Sequence, residues 1–267
     1  RKEKPDIALG IASFNIAQVG WLLNVPSIIF DDTEHSKFEI MLYKPFATKI
    51  LTSTCFKKDL GGKQVRYKGY HELAYLHPKR FKPDRDILDE LNIGKNEKYF
   101  IVRFVSWEAS HDKGQSGFTL QEKKDLVNQL EEHGRVLITS ESKLPKEFEG
   151  YRIPVSQEKI HDLLYHADMY IGEGGTMATE AAVLGTPSVR VSTIAKHMGV
   201  FNELQDKYKL IYFFDTGEEG LQKALSLLNK DSKKIWRKRR KRMLEDKIDV
   251  TEYMMGLVEE NSRTGLA

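Results

Sequence analysis

Residues 168–190 read D-M-Y-I-G-E-G-G-T-M-A-T-E-A-A-V-L-G-T-P-S-V-R. The apolar run 169–171 stops at Gly172, Glu173, Gly174 and Gly175; a helix of small residues opens at Thr176 and closes at Gly185-Thr186-Pro187, before a second strand. Strand, glycine turn and helix form a phosphate cradle: glycines admit an anion close to the backbone, and the free N–H groups and dipole of the helix start attract it. Glu180 follows Thr176 by one helical turn and shares its face, where a carboxylate can accept hydrogen bonds from a sugar diol. The same spelling would also serve a plain tight turn followed by a solvated glutamate.

Two more clusters fall just past the carboxyl end of a predicted strand, where open α/β sheets bind ligands. Asp31, Asp32, Glu34 and His35 bring carboxylates beside an imidazole, a mixture that can poise one group near neutrality as acid or base. An Asp-capped turn before a helix would look the same. In Arg103-Phe104-Val105-Ser106-Trp107, Arg103 offers a fork of donors for a diphosphate, Ser106 another donor and Trp107 a stacking face. An arginine inside a strand must meet an anion or a carboxylate, so an ion pair of Arg103 with Glu173 or Glu108 is the alternative.

The elements that would position these groups alternate. Strands are predicted at 7–11, 25–30 and 49–54 with helices at 14–24 and 38–47 between them, and 65–70 adds a short strand. Cys55 reads as a buried strand residue. A second set runs through strands at 99–105, 135–139, 151–155, 169–171, 188–191 and 210–214, with helices at 119–133, 157–166 and 200–207. Capping boxes are expected at Thr119 with Glu122 and at Thr216 with Glu219, and Ser156 as a further cap. Alternation of this kind predicts an α/β protein with parallel sheets in two Rossmann-type lobes. The expected division is a partial N-terminal lobe over 1–76, a proline-bearing linker over 77–98, a nucleotide-sugar lobe over 99–230, and helices over 231–267 packing back across the lobes. Asp84 and Asp86 spell D-x-D, but Asp84 after Pro83 suits a helix cap better than a metal.

The 42 basic and 39 acidic residues leave a net charge of +3, which argues against nucleic acid as partner. One cysteine excludes an internal disulfide framework and fits a reducing compartment. No apolar run approaches the roughly 20 residues of a bilayer span, so a cytoplasmic protein is expected. The basic run 233–242, with Trp236 inside it, could touch anionic lipid on the cytoplasmic face or simply be solvated. No Walker lysine follows the glycines, no acidic residue stands at dinucleotide spacing, and no Cys or His cluster has zinc spacing. No cofactor and no metal are therefore expected.

The G-E-G-G-T-M-A-T-E segment, the order of elements and the terminal helices resemble the C-terminal half of GT-B glycosyltransferases and of UDP-N-acetylglucosamine 2-epimerases. More narrowly, F-D-D-T-E-H at 30–35, Y-K-G-Y-H-E-L-A-Y-L-H-P at 67–78, V-R-F-V-S-W-E-A-S at 102–110 and E-D-K-I-D-V-T at 245–251 resemble an archaeal and bacterial family of predicted glycosyltransferases whose function is unknown. The resemblance implies a GT-B-like fold whose first lobe begins before Arg1, so that the N-terminal lobe here is incomplete. By similarity to the peptidoglycan N-acetylglucosaminyltransferase, Glu180 would hold the ribose, and Gly174, Gly175 and Thr176 the diphosphate. Residues 30–35 fall where the epimerases keep catalytic acids.

The expected activity is transfer of a sugar, without a metal, from a nucleotide-sugar, UDP-linked by preference, to a glycan, lipid or small-molecule acceptor. Arg103, Ser106, Trp107, Gly172, Glu173, Gly174, Gly175, Thr176 and Glu180 would bind the donor, and His35, Asp32 and Glu34 would supply the base. A UDP-sugar 2-epimerase or hydrolase is the alternative enzyme, and a non-catalytic nucleotide-binding protein the alternative of another class.

Overall fold

A computed structural model describes residues 5–105, 117–140, 144–228 and 231–264. The chain divides into two compact units: Arg1–Arg80 with His197–Val200 and Asp246–Ala267, and Phe81–Lys196 with Phe201–Glu245.

In the first unit the strands β1 (Ala8–Ile11), β2 (Ser27–Asp31), β3 (Lys49–Ser53) and β4 (Gln64–Tyr67) form a parallel sheet in the order β1-β2-β3-β4. Helices α1 (Phe14–Leu23), α2 (Lys37–Tyr43), α3 (Leu73–Leu76) and, from the far end of the chain, α11 (Val250–Thr264) complete it. The Ser13 hydroxyl starts α1 by accepting the Ile16 amide at 3.3 Å, and Asn24 ends it at φ 54°, a left-handed conformation asparagine tolerates. β2 is buried along its whole length, which suits its apolar centre Ile28-Ile29-Phe30. The core gathers Ala17, Ile29, Ile40, Tyr43 and Ile50 between sheet and helices. Cys55 lies two residues past β3 and is half-buried, with its Sγ 3.1 Å from the Ser53 Oγ, so it is a turn residue and not a strand residue.

The second unit holds β5 (Tyr99–Phe104), β6 (Arg135–Ser140), β7 (Met169–Gly172), β8 (Ser188–Val191) and β9 (Ile211–Phe214), all parallel, in the order β6-β5-β7-β8-β9. Helix α4 is Asp86–Glu90, α5 Leu120–Glu131, α6 Ile160–His166, α7 Gly175–Leu184, α9 Gly217–Leu227 and α10 Ser232–Asp246; α8 (Gly199–Asp206) starts in the first unit. The capping box of α5 is complete: Thr119 accepts the Glu122 amide, and Glu122 reaches back to the Thr119 amide at 2.7 Å. Thr216 caps α9 through the Glu219 amide. Ser156 makes no side-chain cap, and α6 is preceded by a 3-10 turn at Gln157–Lys159. The strand expected at 151–155 is also replaced: Lys146–Tyr151 is a 3-10 helix, and only Arg152 bridges to Ile138 of β6. Asp84 accepts the Asp86 amide at 3.0 Å, a helix-start contact for α4.

Strand order changes direction between β5 and β7, because β6 lies on one side of β5 and the rest of the sheet on the other. This is a doubly wound pattern with its switch point at the β5/β7 carboxyl ends. From Ala178 to Leu184 every residue of α7 is buried, as a helix of alanine, valine and leucine allows. The basic run lies on α10. The Trp236 ring is buried and its N–H donates to the Leu210 carbonyl at 2.7 Å. Arg237 bonds the Leu184 and Tyr165 carbonyls, and Arg240 bonds Val183 at 2.9 Å. Guanidiniums thus cover the C-terminal carbonyls of α6 and α7, and Trp236 is a core residue, not a membrane anchor. Among the described residues no helix is long and apolar enough to cross a membrane.

Candidate functional site

The switch point gathers the glycine segment and Arg103. In register, Arg103 of β5 stands beside Gly172 of β7, which stands beside Arg190 of β8. A side chain at 172 would meet the Arg103 carbonyl at 2.6 Å, so only glycine lets β7 finish against β5 there. The Tyr170 hydroxyl donates to the Gly174 carbonyl at 3.1 Å and holds the turn, and Gly174 is the N-cap of α7. Arg103 donates to the Thr139 hydroxyl at 3.1 Å. Arg103, Gly174, Gly175, Thr176, Met177 and Glu180 line a cleft of about 220 Å³. A second cleft of about 580 Å³ shares Arg103 and Met177 with it and extends along β6 to Arg152 and Gln157. Free helix amides, a guanidinium and a carboxylate therefore face one space.

Glu180 is nearly buried, and its Oε1 lies 2.9 Å from Nε2 of His161 on α6. The His161 ring meets Phe81 edge-on at 6.2 Å. Sequence reading singled out Glu180 but passed over His161, because nothing in the spacing of 161 and 180 shows that α6 and α7 are neighbours.

Glu173 takes a different place from the one expected. Its carboxylate is fully buried, accepts the Val105 amide at 2.7 Å and the Phe118 amide at 2.7 Å, and has the Lys123 ammonium at 3.9 Å. It is a fixture for the backbone on either side of 106–116, not a lining residue of the cleft. Ser106 and Trp107 lie outside the described residues.

Arg190 was not recognised from sequence, although an arginine in the strand S-V-R-V carries the same signal as Arg103. It is 6% exposed, its Nε donates to the Glu173 carbonyl at 3.2 Å, and its guanidinium lies 4.3 Å from the Phe201 ring centre. Burial pushes its pKa down to about 10, which leaves it protonated at neutral pH.

The acidic cluster of the first unit lies at the carboxyl end of β2. Asp31 accepts the Tyr43 hydroxyl at 2.5 Å and the Thr33 amide at 2.8 Å. Burial raises its pKa against those bonds, and it anchors the turn. Glu34 Oε1 accepts the amides of Lys57 at 3.0 Å and Gly199 at 2.9 Å, while Oε2 is buried without a hydrogen-bond partner. Burial raises its pKa too, and its visible work is to tie backbone. The His35 carbonyl accepts the Lys37 amide at 2.8 Å at the start of α2.

Asp32 is a third exposed, and its Oδ2 stands 3.4 Å from Nδ1 of His71, a residue just past β4. The His71 ring packs on Phe30 at 5.9 Å, and its Nε2 is buried without a hydrogen-bond partner. Burial would raise the Asp32 pKa, but the bond and charge of His71 outweigh it and hold the carboxyl low. Burial would likewise lower His71, and Asp32 more than reverses that. An imidazole oriented by a carboxylate through one nitrogen has its tautomer and ring position fixed. The sequence put Asp32 beside His35; the parallel pairing of β2, β3 and β4 brings it His71 as its partner. Among the described residues no group of three or more His, Cys, Asp or Glu side chains is placed to hold a metal ion.

Two parallel α/β sheets, the second doubly wound with a glycine turn at its switch point, make this an α/β protein of the GT-B-like fold. Residues 1–262 match the model of a protein family of unknown function, DUF354, and the chain belongs to that family. A curated relative, the uncharacterized protein MJ0665 of Methanocaldococcus jannaschii, is 27% identical over 226 residues, 80% of this chain and 65% of the relative; the chain thus spans about two thirds of that relative's length. Among solved structures it is similar to a putative UDP-N-acetylglucosamine 2-epimerase from Listeria monocytogenes, with a TM-score of 0.57, 14% identity, and coverage of 87% of this chain and 68% of that one. It is similar also to the glycosyltransferase SnogD from Streptomyces nogalater, with a TM-score of 0.56, 15% identity and coverage of 96% and 73%.

Proposed function

We propose that the protein is a glycosyltransferase that binds a nucleotide-sugar, UDP-linked, on its second unit and transfers the sugar to an acceptor hydroxyl without a metal ion. The observation that carries this reading is the single cleft lined by the α7 start, Arg103 and Glu180. The helix amides and Arg103 hold the diphosphate, and Glu180, steadied by His161, accepts the ribose hydroxyls. In the reaction the bond from the sugar's anomeric carbon to the diphosphate oxygen breaks with its electron pair on the diphosphate, where the amides and guanidinium stabilise the charge. The acceptor oxygen bonds to that carbon and gives its proton to a base.

Glu180→Ala is the direct test. Loss of UDP-sugar affinity with the fold intact is expected, and unchanged affinity in a folded variant overturns the assignment.

A second reading is supported by the Asp32–His71 pair together with the epimerase-like fold: abstraction of a ring proton from a UDP-sugar, with elimination and re-addition of the nucleotide. Incubating a UDP-sugar without acceptor separates the two. Accumulation of the 2-epimer or of free sugar with UDP supports the second reading, and an unchanged donor that turns over once acceptor is added supports the first.

A further inference from the structure

The row Arg103, Gly172, Arg190 places one guanidinium on each side of the glycine turn. A Cβ at Gly174 would stand 3.2 Å from the Arg103 Nε, and one at Gly175 would stand 3.2 Å from Nη2 and 3.4 Å from Nη1 of Arg190. Because both positions are glycine, no side chain comes between either cation and the first turn of α7. Arg103 lines the cleft from the front. Arg190 lies behind the helix start, 6% exposed, with Nη1 buried and lacking a hydrogen-bond partner. Among the described residues no carboxylate pairs with it. Glu173, the acidic residue that touches it, offers it a backbone carbonyl and turns its carboxylate to the Val105 and Phe118 amides.

A buried charge without a counter-charge opposes folding, and the ring of Phe201 offsets only part of that cost. The missing partner is an anion, and the α7 N-terminus, whose Gly175 stands beside this guanidinium, is built to hold one. We propose that Arg190 is a binding residue for the phosphates held on the glycine turn, its ionic partner being the ligand and not a protein carboxylate. This rests on the nucleotide-diphosphate reading of the cleft and adds to it a second, hidden cation. With Arg103 and Arg190 on opposite sides of the turn, the site matches the charge of a diphosphate and is oversupplied for a single phosphate.

The experiment is calorimetric titration of the protein with inorganic pyrophosphate, inorganic phosphate and UDP, repeated on Arg190→Gln and Arg190→Lys, with thermal unfolding of each ligand-free protein. Pyrophosphate is expected to bind more tightly than phosphate. Arg190→Gln should unfold no earlier than the parent and bind pyrophosphate at least about tenfold more weakly, the weight of one charged hydrogen bond. Arg190→Lys keeps the charge but loses the fork and should fall between the two. A folded Arg190→Gln that binds pyrophosphate as the parent does overturns the proposal; if that variant does not fold, parent-like affinity in Arg190→Lys overturns it. A parent protein that binds UDP but not pyrophosphate removes this inference and leaves the donor site standing, whereas one that binds neither removes both.

Discussion

The Asp32 carboxylate and the His71 imidazole face each other at 3.4 Å across the carboxyl ends of β2 and β4, and each moves the other's titration. His71 is raised above its ordinary 6.5, so its contribution to stability is complete below pH 6.5 and is lost as pH rises through its folded value. Asp32 is lowered below 3.8, so its contribution is present above that pH and is lost as pH falls through its folded value. The pair therefore helps most between those limits. NMR titration should place His71 above 6.5 in the parent and lower in Asp32→Asn, where burial is opposed only by the charges of Glu72 and Asp31. A His71 that titrates identically in both proteins contradicts the pairing. The stability margin of the parent over His71→Gln should shrink between pH 5 and pH 9 in urea melts.

His161 is expected to act on ligand only through Glu180. In His161→Ala the carboxylate loses the partner at 2.9 Å that fixes it, and UDP affinity should drop by about 3- to 10-fold, one hydrogen bond's worth, with the melting temperature nearly kept. An additional loss on top of Glu180→Ala in the double variant would mean that His161 meets the nucleotide itself.

Glu173→Gln should destabilise the second unit by about 1–3 kcal/mol, since the amide of glutamine can satisfy only one of the two buried backbone donors with an oxygen. Hydrogen exchange offers the sharper readout: the Val105 and Phe118 amides should lose protection together, although they are far apart in sequence. Independent loss at one of them would show that the carboxylate does not join them.

Gly199→Ala is expected to be among the most damaging single methyl additions in the first unit. Its Cβ would lie 1.8 Å from the Cys55 carbonyl oxygen and 2.8 Å from the Glu34 Oε1 that the Gly199 amide now contacts. The backbone must move, at a cost of about 3 kcal/mol, visible as a fall in the denaturant midpoint.

Much of this architecture is legible in the sequence because it depends on local pattern. Apolar runs bounded by turns located β2, β5 and β7, and Thr119 with Glu122 located the start of α5. The run 151–155 misled because its apolar residues serve a 3-10 turn and a single bridge. The site was legible only where its members are sequence neighbours, as in the glycine turn and Glu180. His71, His161 and Arg190 each meet their partners through strand or helix adjacency, which no spacing encodes. Trp236 shows the reverse: a tryptophan in a basic run looks interfacial until the Leu210 carbonyl, just before β9, accepts its N–H.

Because one carboxylate grips the amides at both Val105 and Phe118, the ends of the intervening segment are held together whatever lies between them. Glu173 thereby ties the end of β5, the strand that carries Arg103, to the entry of α5, so the footing of the cleft's guanidinium depends on one buried carboxylate.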